Sequence, residues 1–265
     1  MTVRIVHLLA TVAALTLGAP ARAEDCSPPP LGRTVPFSAG EYIEMDVDSL
    51  GATIAKVTVL VDRGHGNSAL VLTSHARTGT FASNFHSLDA TGRSFLSRSL
   101  VSQRYQEDST EDGVRKSLEY ELPPAGSTLA LESTREGKRD DFKIETHGGV
   151  RDLLSALYSV RTLPLAKGAK FCLPVIVARK AWTMQMSVGD VEPVSTSAGD
   201  FKTIHVTAMA VRNDDASVRR EVHLWYSEDA AHVPVAAFAS VQGKPVRAQL
   251  VQYTPGRASG RGGKR

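Results

Sequence analysis

The sequence predicts a mostly β fold: a single antiparallel, strongly curved sheet, or an open barrel or sandwich, of about ten strands with one short helix. Three observations predict it. Apolar and polar residues alternate in short runs through most of the chain, the period of half-buried strands. Clusters of Gly, Asp, Asn and Pro separate those runs at hairpin distances. Only residues 152–162 repeat their apolar positions at helical spacing. A sheet of so many short strands buries its apolar face only by bending over itself.

The chain begins with Arg4 and His7, then an apolar run from Leu8 to Leu17, then Gly18 and Pro20, then Ala21-Arg22-Ala23. That is the layout of a secretory leader ending in an A-x-A site, with cleavage before Glu24. The run is shorter than the roughly 20 apolar residues of a spanning helix. Glu24 and Asp25 do not make a lipobox ahead of Cys26. The expected location is the periplasm or beyond it. The organisation read from this is a leader at 1–23, a proline-rich linker at 24–35, a β-rich domain at 36–253 and a Gly/Arg-rich basic tail at 254–265, expected to be disordered. Two cysteines, Cys26 and Cys172, form a candidate disulfide in an oxidising compartment. The alternative is two thiols, with Cys172 a small buried hydrophobe.

The elements follow in order. Ile43, Met45 and Val47 alternate with Glu44, Asp46 and Asp48; Ala55, Val57, Val59 and Val61 continue the period after a turn at Gly51. Gly64-His65-Gly66-Asn67-Ser68-Ala69 has the letters of a dinucleotide loop. Such a loop needs a helix after it, and Leu70-Val71-Leu72-Thr73 favours a strand, so a hairpin loop is expected. Residues 81–98 are polar with spaced aromatics. Leu118, Tyr120 and Leu122 mark a strand, Pro123 to Gly126 a turn, Leu129 to Glu132 a strand, and Glu136 to Asp141 a solvated loop. Leu153, Leu154, Leu157 and Tyr158 form the apolar face of the helix, with Asp152 at its start and Pro164 stopping it. Trp182, Met184, Met186 and Val188 alternate before a turn at Gly189-Asp190, Ile204 and Val206 alternate after one at Ala198-Gly199-Asp200, and Asn213-Asp214-Asp215 tips the next hairpin. Val222, Leu224 and Tyr226 follow, then a last hairpin around Gln242 to Pro245.

The formal charge of +3 is misleading. Removing Arg4 and Arg22 with the leader, and Arg257, Arg261, Lys264 and Arg265 with the tail, takes 31 basic residues to 25 against 28 acidic ones. A nucleic-acid partner would need a clustered positive field on the body, so none is expected. The use expected of the tail is a weak attraction to anionic lipid or polysaccharide. No Gly-x-Ser-x-Gly elbow surrounds Ser68, Ser94 or Ser155, and the acidic pairs Asp140-Asp141 and Asp214-Asp215 read as turn residues. No histidine pair has the short spacing of a metal site; His205 and His223 fit solvated cross-strand positions. No catalytic residue, metal or cofactor is expected.

Four stretches together resemble the bacterial domain of unknown function 3108 family. They are Pro36-Phe37-Ser38-Ala39-Gly40-Glu41-Tyr42, the run from Asp152 to Leu165, Ala198-Gly199-Asp200-Phe201, and Leu224-Trp225-Tyr226-Ser227-Glu228-Asp229-Ala230 through Pro234. Ala178-Arg179-Lys180 departs from the Gly/Asp turn that the family tends to carry, and Cys172 is this chain's own feature. The resemblance implies an exported, β-rich envelope protein and brings no catalytic residues. Two readings of function stand. One is a non-catalytic module that binds a lipid or other hydrophobic ligand in the concave sheet, with Trp182, Met184, Met186, Ile204, Val206, Leu224 and Tyr226 as the candidate lining, unless these are ordinary core. The other is a structural or protein-interaction module of the envelope, working through strand edges and residues 81–112.

Overall fold

A computed structural model describes residues 29–257, except 33, 81, 123–127, 147–148 and 242. The leader, Cys26, the turn at Pro123 to Gly126 and residues 258–265 of the tail lie outside the described residues, so the pairing of Cys26 with Cys172 stays an expectation. Hairpins run outward first: β1 (Tyr42–Ser49), β2 (Ala52–Arg63), β3 (Leu70–Thr78), β4 (Leu88–Leu96), β5 (Ser102–Glu111), β6 (Val114–Glu121), β7 (Thr128–Arg135) and β8 (Lys138–Glu145). The two-residue β9 (Arg151–Asp152) and the helix α1 (Leu153–Val160) follow. Then come β10 (Lys170–Val177), β11 (Lys180–Thr196), β12 (Gly199–Arg212), β13 (Asp215–Ser227), β14 (Pro234–Val241) and β15 (Lys244–Thr254).

All the described strands belong to one sheet, ordered β8-β7-β6-β5-β4-β3-β2-β1-β15-β14-β13-β12-β11-β10-β9. The chain starts in the middle and winds out to the β8 edge. It crosses to the opposite edge at β9, passes through α1, and winds back until β15 lies beside β1. The ladder does not close on itself. The two ends meet through side chains instead: Leu118 and Tyr120 of β6 and Leu129 and Leu131 of β7 share a buried cluster with Ile176 of β10 and Ala181 of β11. The result is a rolled sheet with α1 inside it.

Two parts of the sequence expectation are corrected. The described sheet has fifteen strands rather than about ten. It is also mixed, because β9 runs parallel to β10, with Arg151 opposite Val175 and Asp152 opposite Ile176. The undercount has a physical reason. Lys138, Arg139, Asp140 and Asp141 are all exposed on β8, an edge strand, so no buried face writes a period into them. Only Glu136-Gly137 of the expected solvated loop actually turns, with φ of 50° and 80°. Such a pair of positive φ values makes a type I′ hairpin, which suits the twist of the flanking strands. The expected turn at Gly189-Asp190 is a bulge within the long β11, where the pairing with β12 shifts between Val188 and Val191. The β10–β11 hairpin has Ala178 at φ 52°. An L side chain costs roughly 1–2 kcal/mol there, which glycine avoids.

Segments expected to be linker and tail touch the body where they are described. The Gly32 N–H donates to Thr162 Oγ1 at 3.3 Å, just past the end of α1. At the other end, the Arg257 N–H donates to Ala39 O at 3.0 Å.

Candidate functional site

The helix is eight residues long, too short to hold itself together in water. Its ends are fixed by two buried charged groups. At the N-terminus Asp152 is the cap: its Oδ1 accepts from the Ser155 N–H at 2.9 Å. Its Oδ2 accepts from the hydroxyls of Ser94 at 2.6 Å, Ser102 at 2.5 Å and Ser155 at 2.8 Å. Ser94 and Ser102 stand on β4 and β5, so this one carboxylate ties the helix to the first half of the sheet. The N-terminal dipole favours the negative charge at that spot. Beside it, Arg151 donates from Nε to Ser159 Oγ and from Nη1 to Gly149 O, both at 2.8 Å. Burial holds the Arg151 guanidinium below its ordinary value, against the opposing charge of Asp152.

At the C-terminus Arg161 and Glu41 form an ion pair with both side chains fully buried. The guanidinium donates from Nη1 and Nη2 to the two carboxylate oxygens at 2.6 and 2.9 Å, the forked geometry that makes arginine hard to replace. Glu41 also accepts from Tyr158 Oη at 3.0 Å. Arg161 lies over the rings of Phe37 and Tyr158, at 5.1 and 4.8 Å to their centroids. Burial alone would depress the guanidinium, but the bonds to Glu41 and its charge keep it above its ordinary value. Nε and Nη2 of Arg161 reach Ala231 O at 3.2 and 3.1 Å. That carbonyl is presented by a loop which Asp229 and Ser227 hold in shape: Asp229 accepts from Ser227 Oγ and the Ala231 N–H, and Ser227 Oγ accepts from the Val233 N–H.

Between these two clamps the helix faces a cavity of about 230 Å³. Ile43, Val57, Val59, Leu157, Tyr226 and Ala237 are among its walls, and Ser74 contributes the lone hydroxyl besides those of the tyrosines. Leu153, 40% exposed, stands at its rim. Of the seven candidate lining residues, Leu224 and Tyr226 border this cavity. Met184, Met186, Ile204 and Val206 pack with those two in one buried cluster against Ala156 and Val160 of the helix. Trp182 is half-buried on β11, outside that cluster. The β1 and β2 walls were legible as inward-facing positions, but not as the border of a space. That space is bordered also by small residues of β14, Ala236 and Ala237.

His205 and His223 do more than stand in solvent. Nε2 of the first and Nδ1 of the second lie 2.9 Å apart, and the His205 ring stacks on Trp225 at 4.7 Å. Trp225 Nε1 donates to Glu192 Oε2 at 3.0 Å. Among the described residues no group of three or more His, Cys, Asp or Glu side chains could hold a metal ion.

The interior polar layer makes a pH prediction. Tyr105, Tyr120, Tyr158, Tyr226 and Tyr253 are all held above the ordinary tyrosine value, first by burial and, in all but Tyr226, also by nearby carboxylates. Tyr42 is pushed up to about 12, mainly by its hydrogen bond to Glu44. A folded-state value above the unfolded one means stability that is complete below the unfolded value, near 10, and lost as pH rises through the folded values. Absorbance at 295 nm should therefore show the buried tyrosines ionising together with cooperative unfolding well above pH 10. A smooth titration near pH 10 with the circular dichroism unchanged would contradict the buried positions.

Three of the four stretches that carry the family resemblance meet in this one place. Phe37 and Glu41 come from the first, Asp152, Ser155, Tyr158 and Arg161 from the second, Tyr226, Ser227 and Asp229 from the last. A family model described as "Protein of unknown function (DUF3108)" matches residues 43–249. No curated protein matches the sequence. Among solved structures, a β-barrel-like protein of domain of unknown function DUF1849 from Brucella abortus superposes with a TM-score of 0.59 at 8% identity, over 83% of this chain and 98% of that one. At that identity the likeness concerns the fold alone. A candidate exported protein with a YmcC-like fold from Bacteroides fragilis reaches a TM-score of 0.34 at 11% identity, over 83% of this chain and 97% of that one. No described helix is long and apolar enough to cross a membrane.

Proposed function

The chain belongs to the family of proteins of unknown function DUF3108, and from the core of that shared domain we propose that it is a non-catalytic, exported envelope protein that shelters an apolar chain, such as part of a lipid acyl tail, beneath α1. The observation that carries this is the cavity of about 230 Å³ between the helix and strands β1, β2, β3, β13 and β14. An engineered apolar cavity of about 150 Å³ stays dry and takes up benzene. At roughly 30 Å³ for each water-sized group, this one has room for about seven carbons. The charges nearest to it support a ligand that enters by an uncharged end: the two oxygens of Glu41 are bonded to Arg161 and two tyrosines. The same commitments support a non-catalytic role, since Glu41 and Asp152 serve the helix clamps. Export rests on the leader at residues 1–23. Scaffolding through strand edges finds less support, because β8 offers Lys138, Arg139, Asp140 and Asp141, the kind of charged edge that discourages pairing with another chain.

The test is binding of a fluorescent fatty acid to mature protein stripped of lipid. Ala237 borders the cavity opposite Leu224 on the neighbouring strand, so Ala237→Leu fills part of it. Wild type should bind, and A237L should bind about tenfold more weakly with its melting temperature kept or raised. Equal binding by both proteins, or none by wild type, would refute the reading.

A further inference from the structure

On the outer face, away from the helix, three arginines gather around one open groove of about 810 Å³: Arg63 at the end of β2, Arg93 on β4, and Arg257 just past β15. His65 shares it, and Asp62 is the acidic residue in its lining. Among the described residues no carboxylate lies within ion-pair reach of Arg63 or Arg257, and the carboxylate nearest Arg93 is Asp108, at 3.7 Å. Gathering like charges is unfavourable unless something of opposite sign comes to them, and the body as a whole carries more acidic than basic residues. Arg257 is held there by its own backbone. Its N–H donates to Ala39 O at 3.0 Å, and its carbonyl accepts from Ser38 Oγ at 3.2 Å. Gly256 permits this approach, since a Cβ on it would lie 2.2 Å from Ser38 O.

We propose that this groove docks the protein on an anionic lipid surface, with the arginines receiving phosphate groups. The sequence after Arg257 favours a surface over a single small ion, because Arg261, Lys264 and Arg265 follow with no acidic residue among them. Basic residues near an anionic membrane add their contributions, at about 1 kcal/mol each, which is roughly fivefold in affinity. The docking surface is independent of the cavity, and the two fail separately.

The experiment is co-sedimentation of the mature protein with vesicles of phosphatidylcholine alone or with about one third phosphatidylglycerol, at low and high salt. Binding should need the anionic lipid and fall with salt. Arg63→Gln with Arg257→Gln, both exposed, should weaken it about 25-fold while the tail is intact. Neutralising Arg261, Lys264 and Arg265 instead should leave measurable binding that still depends on Arg63 and Arg257. The proposal is overturned if the double variant binds like wild type, if neutral vesicles bind equally well, or if inorganic phosphate raises the melting temperature through Arg63 while no vesicle is bound, which would mark a small-anion site.

Discussion

Replacing Arg161 by methionine should lower stability by about 3–5 kcal/mol, the usual cost of leaving one member of a buried ion pair alone. For a domain of this size that is on the order of 10 °C in melting temperature. The reason is the position of Glu41, which is fully buried and draws its main hydrogen bonds from that guanidinium. Without Arg161 the carboxylate either keeps its charge without a counterion or takes up a proton, and both cost free energy. Glu41→Leu should cost a similar amount for the mirror reason. The double variant Glu41→Leu, Arg161→Met should recover much of the loss, because an apolar pair of similar volume can replace a buried ion pair at little net cost. It will not recover all of it, since Tyr158 Oη and Ala231 O lose their partners as well. A thermodynamic cycle over the four proteins measures the coupling. Arg161→Lys should fall near the methionine variant, because an ammonium cannot make the forked contact. Single variants within 1 kcal/mol of wild type in urea unfolding would mean that water reaches the pair.

This pair also shows where the sequence stops being legible. The strands with one wet and one buried face could be read directly: Ile43, Met45 and Val47 carry the period of β1, and Val222, Leu224 and Tyr226 that of β13. The helix could be placed within a residue or two, because Asp152 and Pro164 bracket it. The β8 edge could not, since its first four residues have no buried side to alternate with. Nor could the meeting of Glu41 with Arg161, 120 positions apart. Each alone is an unremarkable charged residue next to an apolar run. Only the path of the sheet, from β1 in the middle to β9 at the edge, folds α1 back across β1. Three of the stretches quoted for the resemblance were therefore visible before their place in the fold was. In this chain they supply the two ends of a clamp, where Arg161 meets Glu41 and Asp152 meets Ser94 and Ser102 far along the sequence. The cavity has the same character, since it is a deficit of volume shared by six elements.

Asp152→Ala should be the second large effect, and its signature should be local. The substitution removes the N-cap, worth about 1 kcal/mol. It also removes the carboxylate acceptor of three buried serine hydroxyls, of which Ser155 keeps another, the Asp152 carbonyl oxygen at 3.0 Å. Bonds to a charged group are worth about 1.5–3 kcal/mol each before non-additivity. A total near 3–4 kcal/mol is expected. Asp152→Asn should cost about half as much, because the amide oxygen can still cap Ser155 and the serine hydroxyls can rotate to accept from the amide nitrogen. The clamp joins α1 to β4 and β5 rather than to β12 and β13, so the loss should not be uniform. Amide hydrogen exchange should speed up across residues 153–160 while the centre of β12 and β13 keeps its protection. Leu153, Leu154 and Leu157 leave the cavity wall whenever that helix lifts. A bound fatty acid should then dissociate faster from Asp152→Ala than from wild type, at a temperature where both remain folded. If exchange rises evenly over the whole sheet, the carboxylate holds the fold and not the lid. If exchange rises over the helix and dissociation is unchanged, the ligand does not pass beneath α1.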